Sequence, residues 1–150
     1  MRLNFDLEVW VSFASLGLGV MFVLLLASFY SFLVGPDKLG PDRYVDISGV
    51  LIKTISISGA PSVILAAITY GLSKNHGNRL AGSVVSITGI IIIIGMSLSL
   101  GISSEIPSEF FQDIILYVPY IFVGVSIGIV IIGLKIYLIS KKGVRSGKFH

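Results

Sequence analysis

LAGSVVSITGIIIIIGMSLSLGI, residues 80–102, decides the fold. The stretch holds 23 residues without one charged side chain, centred on five consecutive isoleucines from Ile90 to Ile94. At about 1.5 Å of rise per residue, a helix of that length crosses a hydrocarbon core of about 30 Å. In water a β-branched run of this kind reads as strand. In lipid every backbone N–H and C=O must be bonded within the segment, so the same run predicts a helix. A soluble helix would keep one polar face, whereas only Ser, Thr and Gly interrupt the aliphatic residues here.

Three further apolar runs lie on either side, at about residues 10–34, 47–72 and 114–139. They predict an all-α bundle of four transmembrane helices, one membrane domain over residues 1–150. Nothing outside the runs is long enough to fold alone. The composition agrees: 54% of the 150 residues are hydrophobic and 13% are charged, against about 25% charged in soluble domains. The absence of cysteine removes disulfides, thiolate metal sites, iron–sulfur clusters, covalent haem attachment and dithiol chemistry. A net charge of +3 on such a chain does not point to nucleic acid as a partner.

The lead Met1–Glu8 carries acids and precedes about 25 apolar residues, too long a run for a cleaved secretory signal, so the first span is expected to be retained. Trp10, Tyr30 and Phe32 suit interfacial aromatic belts, or simply apolar bulk facing lipid or a neighbour. Ser15 and Gly19 form a small-residue strip through which another helix can approach. In the second span Ser56, Ser58, Gly59, Ala60, Pro61 and Ser62 sit together. Proline removes a backbone donor and crowds the preceding turn, which predicts a kink or local unwinding near Gly59–Pro61. Lys53 stands out as a charge inside an apolar run. It either snorkels, since the end of the span is about two turns away, or pairs with a carboxylate on another helix. In the fourth span Gly124 and Gly128 make a GxxxG pattern, predicting close helix packing either within this chain or against another.

The first loop, GPDKLGPDRYVD, repeats Gly-Pro-Asp-Lys as Gly-Pro-Asp-Arg five residues later and predicts two successive tight turns with solvated charges. The third loop, SSEIPSEFFQD, suggests an interfacial turn of helix at Ser108–Phe111 with its aromatics dipping into the membrane surface. The lead, the second loop and the tail carry seven basic residues near span ends, and the first and third loops carry two. Both termini are therefore expected in the cytoplasm, with the basic tail touching anionic lipid headgroups. His76 and His150 fall outside the spans and read as surface residues.

No Asp, Glu, His or Cys lies within the predicted spans, so no catalytic, cofactor-binding or metal-binding residue is assigned. Three classes of function remain. A non-catalytic subunit of a larger membrane complex fits uncharged spans with small-residue strips. A small channel or carrier could be lined by the Ser/Gly/Pro segment of the second span. An enzyme working through backbone and hydroxyl groups alone is the third. The four-span layout, the lack of cysteine, the isoleucine-rich spans and the short charged loops resemble the small accessory membrane subunits of the archaeal ammonia monooxygenase, a copper enzyme of the plasma membrane. That resemblance covers the chain as a whole and rests on no motif. It implies other membrane subunits and lipid as partners. The copper would be held by the principal subunits, so no functional residue carries over to this sequence.

Overall fold

A computed structural model describes residues 6–75 and 77–146. The expectations placed on Arg2, His76, Lys148 and His150 lie outside the described residues. Within them the chain forms α1 (Leu7–Val34), a 3-10 turn (Pro36–Lys38), α2 (Ile47–Thr54), a π-helical turn (Ile55–Gly59), α3 (Ala60–Ser73), α4 (Arg79–Ser103) and α5 (Asp113–Ser146). With α2, the π turn and α3 counted as one rod, four helices are long and apolar enough to cross a membrane: Leu7–Val34, Ile47–Ser73, Arg79–Ser103 and Asp113–Lys142. The isoleucine run lies wholly inside α4, about 37 Å long.

The rods exceed the predicted spans by a few residues, because helix-compatible polar residues extend each one past its apolar stretch. Glu8 thereby enters the first turn of α1 and Asp113 that of α5, where carboxylates suit the helix dipole. Asn78 caps α4 by accepting from Leu80 N–H at 3.0 Å and Ala81 N–H at 3.4 Å. Asp46 caps α2 through Gly49 N–H at 3.0 Å. The basic tail also continues as helix through Ser146.

Helix α4 packs along both α5 and α1, α1 also packs along α3, and α3 packs along α5. The order around the bundle is therefore α1, α3, α5, α4. Consecutive α3 and α4 stand diagonally and scarcely touch. The buried positions of α1 are Val9, Ser12, Ser15, Gly19, Phe22, Leu26, Tyr30 and Leu33. Their alternating spacing of three and four is the seam of nearly parallel packed helices. A matching seam on α5 runs through Ile115, Val118, Phe122, Ser126, Ile129, Gly133 and Ile136.

The two loops at the end away from the termini interlock. Gly40, at φ +84°, lies under the Phe110 ring, and its N–H donates to the Val34 carbonyl at 3.0 Å. Only the first Gly-Pro-Asp copy makes the expected turn. The second is a bend, because Gly40 is already used to close α1. Ser108–Phe111 forms turns and no helix, and Phe110 is held by the first loop rather than by a membrane surface. Of the three belt candidates, Trp10 and Phe32 are exposed, but Tyr30 is buried and its hydroxyl donates to the Ile115 carbonyl at 2.6 Å.

Candidate functional site

The sequence-predicted packing residues separate into an inward group and an outward one. Ser15, Gly19 and Gly59 are buried and Pro61 is partly buried. Where local unwinding is expected, the rod has the π-helical turn Ile55–Gly59, in which Ala60 N–H donates to the Ile55 carbonyl. Pro61 has no N–H to offer the carbonyl four residues back, and the widened turn accommodates that loss. Gly59 lies against Phe22 and Phe122, whose ring centroids are 4.5 Å apart. A Cβ there would come within 3.0 Å of the Phe22 ring.

One residue beyond the proline, α1 and α3 are clasped. Ser15 Oγ donates to the Ser62 carbonyl and Ser62 Oγ donates to the Ser15 carbonyl, both at 2.8 Å and both fully buried. Gly19, one turn on, gives the clearance: a Cβ would sit 3.0 Å from Thr88 Cγ2 and 3.1 Å from Ser62 Oγ. Neighbouring hydroxyls turn back on their own helices, Ser58 to the Thr54 carbonyl at 2.9 Å and Thr69 to the Leu65 carbonyl at 2.8 Å. The second-span serines thus fall into two sets. Ser58 and Ser62 are fully buried and committed as donors to backbone carbonyls, and Ser56 faces outward. Replacing either Ser15 or Ser62 by alanine is expected to cost about 0.6 to 1.7 kcal/mol, read as a lowered unfolding midpoint in detergent. A double variant no worse than either single would confirm that the two bonds act as a unit.

Gly124 and Gly128 do not make close contacts within the chain. A Cβ at either would meet nothing within 4 Å, and Gly124 is exposed. Each helical residue turns the chain by about 100°, so Gly124 stands roughly opposite Phe122, which defines the inward face. The close contacts fall instead at glycines that the sequence pattern did not single out. On α4, a Cβ at Gly82 would lie 2.7 Å from Tyr137 N and 2.9 Å from the Gly133 oxygen, and one at Gly89 would lie 2.9 Å from the Ser126 oxygen. Gly95 lies against Val23 of α1. The available signal was the seven-residue spacing of Gly82 and Gly89 on α4 and of Ser126 and Gly133 on α5, two heptads that face each other.

Lys53 is exposed and makes no ion pair among the described residues. Gly59 lies level with Phe122, which puts Lys53 about one turn from the start of α5. A second lysine inside an apolar run, Lys135, is its counterpart at the other end. Lys135 lies level with Gly82, about one turn inside the start of α4, and is likewise exposed. Its signal was the lone charge in GLKIY. Both are within reach of the membrane boundary for a four-carbon stem.

Between the interlocked loops is a cleft of about 120 Å³ lined by Tyr44, Val45, Asp46, Ile47, Glu109, Phe110 and Gln112. Ser48 Oγ lies 3.1 Å from Gln112 Oε1 beside it. Lys38 and Glu105 pair at 3.5 Å across the loops, but with both side chains more than half exposed, the pair contributes little. Among the described residues no group of three or more His, Cys, Asp or Glu is placed to hold a metal ion. No protein-family model, curated protein or solved structure matches the chain.

Proposed function

We propose that the chain is a non-catalytic structural subunit of a multi-subunit membrane enzyme complex. The observation that carries this reading is the notch at Gly124 and Gly128. Packed glycines occur throughout the bundle interior, yet this pair opens on an outward face where nothing in the chain fills it. A flat strip on a helix permits the backbone of another helix to approach closely, which gains van der Waals contact that lipid tails do not match. The interior supports the same conclusion, because the hydroxyls of Ser15, Ser58, Ser62, Thr69 and Thr88 are spent on backbone carbonyls that fasten or trim the helices. The particular complex we put forward is a copper-dependent ammonia monooxygenase of archaeal plasma membrane, on the strength of the layout resemblance alone, with the termini on the cytoplasmic side.

The test is the mass and composition of the particle that contains this chain after extraction from native membranes in mild detergent. Co-purification in fixed proportion with larger, metal-bearing subunits is the expected result and identifies the reaction. A homogeneous particle of this chain alone overturns the proposal. Lys53→Leu adds a finer test. The isolated subunit is expected to keep its unfolding midpoint within about 0.5 kcal/mol, because the side chain touches nothing in the bundle, while the complex dissociates more readily. Equal stability of the complex would assign the ammonium to the headgroup region.

A further inference from the structure

The loop between α3 and α4 is docked onto α5. Gly77, at φ +61°, presses on the α5 backbone so closely that a Cβ there would lie 2.5 Å from Ser140 N and 2.9 Å from Ser140 Cα. Both the left-handed conformation and the contact require glycine. Lys74 and Arg79, on either side of Gly77, are thereby carried next to Lys141 and Lys142, which follow Ser140 directly. Lys135 lies further along α5, level with Gly82. All five side chains are exposed, and none forms an ion pair among the described residues. The described carboxylates at this end are Asp6 and Glu8 on α1, and Glu8 already accepts the Ser73 hydroxyl at 2.8 Å.

Two stretches distant in sequence therefore place five positive charges at one end of an apolar bundle. Such a concentration of like charge raises the local potential and calls for an anion. The position selects its kind. Lys74, Arg79, Lys141 and Lys142 stand at the ends of the spanning helices, at headgroup level, and the stem of Lys135 can raise its ammonium to the same level. The guanidinium of Arg79 offers a planar fork to two phosphate oxygens, and the lysines act as point charges around it. Beside them Leu134 and Leu138 are exposed on α5, an apolar surface along which acyl chains can lie.

The geometry points to a binding site for the phosphate group of an anionic phospholipid, formed by Lys74, Arg79, Lys135, Lys141 and Lys142. This inference goes beyond the subunit role and holds whether or not that role does. It is tested on the purified full chain in a zwitterionic detergent, by following the thermal midpoint while phosphatidylglycerol, phosphatidylcholine or inorganic phosphate is titrated. Phosphatidylglycerol is expected to raise the midpoint at concentrations where the other two do not. The double variant Lys141→Gln/Lys142→Gln is expected to shift the half-saturating lipid concentration upward by roughly tenfold or more, at about fivefold per basic residue. Lys74→Gln/Arg79→Gln is expected to do the same, because both pairs serve one site. Lys38→Gln/Arg43→Gln, which removes equal charge from the opposite loops, should leave the titration unchanged. Equal protection by phosphatidylcholine, an equal shift in the Lys38/Arg43 variant, or a response confined to the Lys141/Lys142 pair would overturn the site. Inorganic phosphate acting as well as phosphatidylglycerol would overturn lipid as its ligand.

Discussion

Gly82→Leu or Gly133→Leu is expected to disrupt the bundle, with a loss of at least about 3 kcal/mol and of the monodisperse particle in detergent. The size of the effect follows from what the new atoms meet. At Gly82 they meet Tyr137 N and the Gly133 oxygen, and at Gly133 they meet Ser86 N and the Gly82 oxygen. These are backbone atoms, which have no rotamer to change, so α4 and α5 must separate along their whole contact. Even Gly82→Ala should destabilise. In an open helical position the same change normally stabilises by about 1 kcal/mol, and Gly101→Ala, with nothing within 4 Å of its Cβ, provides that control. Opposite signs for Gly82→Ala and Gly101→Ala in thermal unfolding would establish the α4–α5 contact. A neutral Gly82→Leu would mean the two helices are further apart than described.

The reverse pattern is expected for Gly124→Leu/Gly128→Leu. The isolated chain should fold and unfold as before or with a slightly higher midpoint, since both positions open on empty space and leucine is the better helix former. Recovery of the intact complex should fall by roughly tenfold, about 1.4 kcal/mol, because two side chains hold the partner backbone away from α5. Membrane insertion should not change. The measurement is the ratio of chain in the assembled particle to chain alone after native extraction. An unchanged ratio would remove this strip from any interface. The two glycine sets therefore differ by experiment as well as by position: one holds the chain together, and the other is available to something outside it.

Much of this was legible in residues 80–102 and their three counterparts. Length and lack of charge were sufficient for the helices, and Pro61 was sufficient to place a break in the second rod. The π-helical turn ends one residue before that proline, at Gly59. The candidate site was legible only as a set of residue types. Ser15, Gly19 and Gly59 pack as small residues can, but Gly124 and Gly128, the most recognisable motif in the chain, face away. The glycines that bring α4 and α5 together lacked a four-residue spacing and were read as part of the apolar background. Tyr30 shows the same difficulty, since an aromatic near a span end suits a belt equally well as a core whose far wall offers a carbonyl.

The sequence by itself determined that there are four rods and about where each begins and ends. Those properties depend on summed apolarity and on backbone bonds that lipid forces to close within each segment. The tertiary structure alone decided which side of each rod faces inward and which rods are neighbours. A helix that is apolar all round has no polar stripe to mark its outward face, so hydropathy is silent on rotation. Facing is set by shape instead: where a missing Cβ lets two backbones meet, where Ser15 and Ser62 can exchange hydrogen bonds, and where Gly77 lets a loop lie on α5 so that α4 returns beside α1 and not beside α3.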